Sequence, residues 1–237
     1  MPVWQTSRFT IDLSKPQVMG IVNVTPDSFS DCGQHDNVSA AMRHAEKLLA
    51  DGADILDIGG ESTRPGSPAV PLQEELRRVT PLLAQAVKLG VPLSIDTYKP
   101  EVMQAALDLG VDIINDIWAL RQPGARAVVA QHPSCGVCLM HMHADPQTMH
   151  AEHMAEAGTV LEVLTFLQKK TELLLREGVK ESRIEWDAGT GFGKSVAQNF
   201  LLLQQQPQLM VDGYPLLAGW SRKGSIGKVT GRPVTER

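Results

Sequence analysis

The chain has 237 residues, of which 43% are hydrophobic and 21% are charged, and its formal net charge is -5. This composition is typical of a globular protein, and the length suits one large α/β domain or two small ones. The acidic balance argues against nucleic acid or a membrane surface as a partner, and no apolar run approaches the ~18 to 20 residues of a membrane span. Three cysteines cannot all pair with one another, which favours a reducing compartment and predicts a cytoplasmic protein.

Apolar runs of strand length recur along the chain. They lie at 18–25, 54–60, 92–97, 112–117, 136–141, 183–189 and 214–221. Segments with helical spacing separate them, at 38–50, 73–89, 100–109, 124–131, 155–177 and 196–206. Parallel strands need crossover connections and are buried on both faces, so the alternation predicts a parallel sheet covered by helices. Seven repeats favour an α/β fold of the TIM (β/α)8-barrel type over a doubly wound open sheet.

Polar residues cluster at the C-terminal ends of these predicted strands. They are Asn23, Asp27, Asp57, Glu61, Asp96, Asn115, Asp116, His141, Asp187, Ser221, Arg222 and Lys223. In a barrel the C-terminal strand ends meet at one mouth, where active sites are built. Asp and Asn also cap the helices that follow strands, so capping explains any single member as well as a ligand does. The whole set predicts one shared site.

A glycine-rich stretch, WDAGTGFGKS at 186–195, follows the sixth predicted strand. It is one residue short of the phosphate-binding loop G-x-x-x-x-G-K-[ST], because Ala188 stands where the first glycine is needed. Such a loop normally follows the first strand of a doubly wound sheet. The glycines are therefore interpreted as a tight turn, and Lys194 as a residue at the entry of the next helix.

Seven motifs together resemble a known family. They are MGIVNVTPDSFSD (19–31), GADILDIGGESTRPG (52–66), SIDTYKP (94–100), IINDI (113–117), LMHM (139–142), DAGTGFGK (187–194) and GWSRK (219–223). In this order they resemble dihydropteroate synthase, the folate-pathway enzyme family, from about residue 4 to the last residue. The resemblance implies a single pterin-binding barrel domain over residues 1–237.

The resemblance also implies a reaction. The family joins 4-aminobenzoate to the methylene of 6-hydroxymethyl-7,8-dihydropterin diphosphate, releases pyrophosphate, uses Mg2+ and is the target of sulfonamides. Asp96, Asn115, Asp187 and Lys223 match the pterin slot, with Lys223 also catalytic, and Asn23 matches the position that contacts magnesium. The expected partners are small-molecule substrates, and a homodimer is left open as the assembly.

Two loops, 24–36 and 61–70, are implied to close over the site. Asp31 matches a catalytic carboxylate that stabilises the cation developing on the pterin methylene as pyrophosphate leaves. Thr63 and Arg64 match loop residues near substrate and pyrophosphate, and Arg64 is implied to be catalytic.

The aminobenzoate side of the site is implied by a further set of residues. Phe29 and Pro65 would wall the pocket, and Ser221 and Arg222 would add substrate contacts. Gly224 departs from the family, which commonly has a serine at this helix N-terminus to meet the aminobenzoate carboxylate. We therefore expect weakened rather than abolished aminobenzoate binding, because the helix N-terminus itself remains.

Other departures are local except at the C-terminus. Ala188 stands where the family usually has a proline, Cys32 where it usually has a glycine, and Met142-His143-Ala144 where it usually has M-x-G. No segment matches the family's eighth strand with its Arg-x-His pair, which grips pyrophosphate. The first and seventh strands are therefore expected to be open edges, through which this chain would aggregate or associate, with little synthase activity.

Several alternatives remain open. A noncatalytic pterin-binding protein and a pterin-dependent methyltransferase would share the same slot, although NVTPDSFSD argues against the second. Cys135 and Cys138 form a C-x-x-C whose members point to opposite faces of a strand, which disfavours a redox role. A zinc site from Cys138, His141, His143, His150 and His153 is weaker than a structural role for these histidines. Glu74, Glu75, Arg77 and Arg78 are interpreted as an exposed helix face.

Overall fold

A computed structural model describes residues 2–24, 34–62, 67–143, 154, 155 and 157–236. It begins with a short antiparallel hairpin that the sequence pattern did not predict, formed by β1 (Val3–Gln5) and β2 (Thr10–Asp12). The buried Trp4 side chain donates from Nε1 to the Arg183 carbonyl at 2.9 Å. The hairpin therefore packs against the chain just before a barrel strand, at the end of the sheet opposite the predicted site.

Seven parallel strands form the central sheet. They are β3 (Met19–Asn23), β4 (Ile55–Gly59), β5 (Leu93–Asp96), β6 (Ile113–Asp116), β7 (Gly136–Met140), β8 (Ile184–Asp187) and β9 (Leu216–Leu217). Each strand pairs with the next one in sequence. A doubly wound sheet would reverse its strand order at a switch point, so this sequential order confirms a curled sheet of the TIM-barrel type with seven strands. The strand predicted over 214–221 is wrong in length, because only two of its residues pair.

Helices cover the outer face of this sheet. They are α1 (Gln34–Ala50), α2 (Leu72–Ala86), α3 (Pro100–Asp108), α4 (Ala125–Gln131), α5 (Thr159–Arg176), α6 (Val196–Gln204), α7 (Gln206–Leu209) and α8 (Gly224–Thr230). α5 begins four residues after the predicted position 155, because Gly158 takes a left-handed backbone conformation directly before it. Within the described residues, no helix is both long and apolar enough to cross a membrane.

The main core lies between the sheet and these helices, where aliphatic side chains such as Leu56, Ile95 and Val137 are fully buried. The sheet does not close on itself among the described residues, since β3 and β9 each have a single neighbour. Ile21 of β3 consequently keeps 54% of its surface exposed. The expected open edges are confirmed, whereas the expected aggregation and loss of activity stay predictions.

Candidate active site

Five polar side chains line the inner face of the sheet: Asp57, Asp96, Asn115, Glu185 and Asp187. In the strand register, Asp96 lies opposite Asn115. Asn115 lies opposite Cys138 of β7, and Cys138 lies opposite Glu185 of β8. Side chains two residues apart on a strand point the same way, so Glu185 and Asp187 share this face. The structure therefore brings together three of the four residues predicted for the pterin slot, and it adds two carboxyl groups.

These interior carboxyl groups are short of hydrogen-bond donors. Asn115 donates from Nδ2 to Asp57 Oδ2 at 3.2 Å. The Oδ1 atoms of Asp57 and Asp96 are buried, and neither has a partner within the described part of the chain. Burial raises the pKa of Asp57, and it raises the pKa of Asp96 well above the usual range, with further contributions from Asp57, Asp116 and Glu75. The inner face is therefore suited to accept hydrogen bonds from the N–H groups of a ligand.

Asp187 ends β8 and starts the glycine-rich turn. Its Oδ1 accepts a hydrogen bond from the Gly189 amide at 2.7 Å, and burial raises its pKa. Gly189 and Gly193 have φ values of 67°, and a Cβ at Gly189 would lie 1.8 Å from the His141 carbonyl oxygen. The interpretation as a tight turn, packed closely against the end of β7, is confirmed.

Lys223 approaches the same space from the start of α8. Its Nζ lies 4.2 Å from the centre of the Phe192 ring. Burial lowers the pKa of Lys223, while Asp187 and Asp96 raise it. The ammonium group therefore faces the two predicted pterin-binding carboxylates and completes the predicted set of four.

Lys194 has a different role from the one predicted. Its Nζ is buried and donates to the carbonyl oxygens of His141, Gly189 and Phe192 at 3.1, 2.8 and 3.1 Å. Burial lowers the pKa of Lys194 to about 7. Lys194 does precede the N-cap residue of α6, but its ammonium group holds the glycine turn against β7. The interpretation as a helix-entry residue was incomplete because Lys is rarely buried.

Asn23, the predicted magnesium contact, lies at the end of β3 opposite Gly59. A Cβ at Gly59 would lie 3.4 Å from Asn23 Oδ1 and 3.6 Å from Asp96 Oδ2, so both oxygens border the space above this glycine. Amide and carboxylate oxygens suit Mg2+. No group of three metal-binding His, Cys, Asp or Glu side chains forms among the described residues. The contact between Asn23 and Mg2+ therefore stays a prediction.

Ser221 and Arg222 lie in the exposed turn before α8, where Arg222 has a φ of 60°. Their predicted substrate contacts stay predictions. Gly224 begins α8, as expected, and is also exposed. Ser225 is buried instead, and its Oγ accepts from Asn199 Nδ2 at 2.9 Å. Asn199 was not predicted as a site residue, yet it connects the start of α8 to α6.

A second charged cluster, which we call the loop-base network, follows β4 and comprises Glu61, Glu75, Thr97, Tyr98 and Lys99. The Lys99 ammonium bridges the carboxylates of Glu61 and Glu75. Thr97 donates to Glu75 at 2.7 Å, and Tyr98 donates to Glu61 at 3.0 Å. The prediction that Glu75 lies on an exposed helix face is wrong, because its side chain is 1% exposed.

The other members of that predicted face divide into two kinds. Arg77 forms an exposed ion pair with Glu74 at 2.8 Å, as expected. Arg78 is only 15% exposed and donates to the Gly60 carbonyl at 2.8 Å, as well as pairing with Glu74. Asp116, predicted at the mouth, instead accepts from the Trp118 and Leu120 amides and holds the turn after β6.

Some predicted residues lie outside the described part of the chain. They are Asp27 of the polar cluster, Phe29, Asp31, Thr63, Arg64 and Pro65 of the predicted loops, and His150 and His153 of the zinc alternative. Cys135 and Cys138 are described, and both are buried free thiols. Burial raises the pKa of each, which does not suit a reactive thiolate.

Glu185 is the site residue that sequence reasoning missed. It was taken as part of the apolar run at 183–189, although a carboxylate in the middle of a doubly buried strand is unusual. Its side chain is 6% exposed, and burial raises its pKa to about 8, with smaller contributions from Asp187 and Asp57. That mismatch between residue and strand was the available signal.

Comparison with known proteins now identifies the family. The model for pterin binding enzymes matches residues 19–237. The chain belongs to the pterin-binding enzyme family. It is 47% identical over 232 residues to a dihydropteroate synthase from Neisseria meningitidis serogroup C. The aligned region covers 97% of this chain and 82% of the relative.

Two solved structures show the same similarity. A Xanthomonas albilineans dihydropteroate synthase with 4-aminobenzoic acid matches with a TM-score of 0.91 and 49% identity, over 99% of this chain and 84% of that one. A Burkholderia cenocepacia dihydropteroate synthase complexed with 7,8-dihydropteroate matches with a TM-score of 0.89 and 48% identity, over 99% and 82%. The family resemblance and the barrel-type fold predicted from the sequence are confirmed.

Proposed function

We propose that this pterin-binding family member is a dihydropteroate synthase, which condenses 6-hydroxymethyl-7,8-dihydropterin diphosphate with 4-aminobenzoate and releases pyrophosphate. The observation that carries the proposal is the interior set of Asp96, Asn115, Asp187 and Lys223, converging at the C-terminal ends of four strand units. Relatives with nearly half their residues identical bear this name, and one was solved with the product 7,8-dihydropteroate. The fold places the site at the C-terminal ends of the strands, and these side chains determine its chemistry.

The slot suits the edge of a pterin ring. A pterin presents a ring N–H beside an exocyclic amino group, and a carboxylate accepts both in a bidentate arrangement. Asp187 and Asp96 supply such acceptors, while Asn115 Oδ1 and the Lys223 ammonium supply an acceptor and a donor. Ile117, Met140, Met142 and Phe192 form a buried apolar cluster that offers a wall for a flat ring.

The C–O bond between the pterin methylene and the diphosphate breaks with its electron pair going to pyrophosphate, so negative charge develops on the leaving group. Asn23 would hold Mg2+ through its amide oxygen, and the bound ion would neutralise charge on the leaving group. We propose that Asp31 stabilises the positive charge on the pterin methylene, with Thr63 and Arg64 near the pyrophosphate. Phe29 and Pro65 would border the aminobenzoate. These roles rest on the matched motifs. We also propose a reducing, cytoplasmic setting, which the buried free thiols of Cys135 and Cys138 support.

A pyrophosphate-release assay tests the proposal. Purified chain is given the pterin diphosphate with or without 4-aminobenzoate, and with Mg2+ present or chelated. Pyrophosphate release that requires both aminobenzoate and the metal is expected for a synthase. Pterin binding without any release would instead select the noncatalytic alternative. In an active preparation, Asp31→Ala should lower turnover more than it weakens pterin binding, because its partner charge exists only in the transition state.

A further inference from the structure

Glu185 lies beneath the proposed pterin slot. It shares the inner face of β8 with Asp187, one pleat deeper in the barrel. Its Oε2 is buried and accepts no hydrogen bond from any described residue. Nearly all of the side chain is removed from water, at 6% exposure. A carboxylate in such a place has neither solvent nor donors to stabilise a negative charge.

The groups around Glu185 are mostly acidic. Asp187 faces it from the same strand, Asp57 from β4 and Cys138 from the adjacent position on β7, and Asp96 of β5 in turn faces Cys138. On its other side, β9 contributes only Leu216 and Leu217. Four buried carboxyl groups therefore share one low-dielectric compartment, where burial and the neighbouring acidic groups oppose the ionisation of all four at once.

Two lysines face this compartment, but neither is placed to neutralise Glu185. Lys194 donates its three N–H groups to the carbonyl oxygens of His141, Gly189 and Phe192. Lys223 lies over Phe192 and acts on Asp187 and Asp96. The surroundings of Glu185 therefore favour the neutral, protonated form of its carboxyl group.

We propose that Glu185 is a positioning residue. It stays protonated within the group of buried carboxyls, so that Asp187 remains the anion that accepts the donor edge of the pterin. This inference rests on the proposed function. A neutral ring seated above Glu185 removes its remaining water, so an ionised Glu185 opposes binding while a protonated one does not. Binding should therefore weaken as alkaline pH removes that proton. Burial, reinforced by Asp187 and Asp57, raises the pKa of Glu185 to about 8, which places the change in an accessible range.

The experiment compares pterin affinity at about pH 6.5 and about pH 9, on either side of this pKa. Calorimetry with 6-hydroxymethyl-7,8-dihydropterin, which lacks the diphosphate, is done on the wild-type chain, on Glu185→Gln and on the exposed control Glu101→Gln. We expect the affinity of the wild type and of Glu101→Gln to fall about tenfold more across this interval than that of Glu185→Gln, since one pKa unit corresponds to a tenfold change. Titration of the ligand and of Lys223 cancels in the comparison.

Glu185→Leu is a second variant, because an apolar side chain of similar volume needs no hydrogen bond, and it should show the same weak pH dependence. Infrared difference spectra near neutral pH, wild type minus each variant, should show the C=O stretch of a protonated carboxylic acid, because any band from Asp96, whose pKa burial also raises, cancels in the subtraction. An equal fall in affinity for wild type and Glu185→Gln, or the absence of that band, would overturn the inference and leave the synthase proposal standing. Failure of every form to bind the pterin at any pH would overturn both.

Discussion

Two clusters of acidic side chains, the loop-base network and the inner face of the sheet, differ in how their charges are balanced. In the loop-base network, Lys99 bridges Glu61 and Glu75, and the hydroxyls of Thr97 and Tyr98 supply further donors. The inner face of the barrel has twice as many carboxyl groups, four against two, and three of them, Asp57, Asp96 and Glu185, each keep a buried oxygen without a donor among the described residues.

This difference indicates that the loop-base network stabilises the structure, whereas the carboxyl groups of the inner face are available to bind a ligand. A cluster whose acceptors all find donors within the protein has its final geometry before any ligand arrives. A cluster with buried, unpaired acceptors carries a cost of roughly 1 to 3 kcal/mol for each group, and a ligand that brings N–H donors removes that cost. We therefore expect changes in the loop-base network to alter stability first, and changes on the inner face to alter ligand binding first.

The largest effect is expected from Lys99→Met. The substitution leaves Glu75, which has a side chain only 1% exposed, without its charged partner. Breaking a buried ion pair from one side costs on the order of 3 to 5 kcal/mol of folding free energy. Urea denaturation measures the loss. Lys47→Met is the matched control, since the Lys47–Asp51 pair is 70% and 59% exposed and should contribute less than about 1 kcal/mol. Similar losses for the two variants would contradict a structural role for the network.

Asp187→Asn should produce the next largest effect, and it should act on binding. The amide replaces an acceptor by a group that is part donor, which mismatches the ring N–H and amino groups at a cost of roughly 1 to 3 kcal/mol. Calorimetry with the pterin should show this loss, while urea denaturation should show little loss of stability, because a buried charge has been removed. Unchanged pterin affinity would remove Asp187 from the slot.

The fold was predictable from the sequence because period and order carry it. Continuous apolar strands such as 112–117, each followed by a helix, leave few topologies. The hairpin β1–β2 escaped prediction because three-residue strands show no periodicity. β9 was drawn too long because apolar composition does not reveal where backbone pairing ends.

The site was predictable where a residue stands at a strand end. Asp96, Asn115 and Asp187 occupy such positions, and the structure brings them together. Glu75 and Lys194 were misjudged because helical spacing and motif context describe the near neighbours of a residue. The Thr97 and Lys99 partners of Glu75, and the His141 carbonyl that binds Lys194, come from other elements. Partner-dependent burial of a charged residue is a tertiary property that a single sequence does not encode locally.

Glu185→Gln should change the pH dependence of stability by a smaller, pH-limited amount. The folded-state pKa of Glu185 is raised from 4.5 to about 8, so its contribution to stability is fully present below about pH 4.5 and is lost as the pH rises to about 8. Relative to wild type, Glu185→Gln should therefore gain about 1 to 3 kcal/mol between pH 5 and pH 7, at no more than about 1.4 kcal/mol per pH unit. Thermal or urea unfolding at several pH values measures the difference. A difference that does not vary with pH would mean that Glu185 is not protonated in the folded chain.

Ser225→Ala should have the smallest effect, and it tests the link between the glycine turn and α8. Asn199 donates to Ser225 Oγ at 2.9 Å and accepts from the Gly191 amide at 2.8 Å, so one side chain fixes both segments. Removing the hydroxyl leaves a buried amide N–H of Asn199 without this acceptor, and we expect a loss of about 0.5 to 1.5 kcal/mol in urea denaturation. Thr230→Ala is the control on the same helix, because its hydroxyl donates to the Ile226 carbonyl at an exposed position and should contribute less. If Thr230→Ala cost as much as Ser225→Ala, the loss would reflect the helix alone and the link through Asn199 would carry no stability of its own.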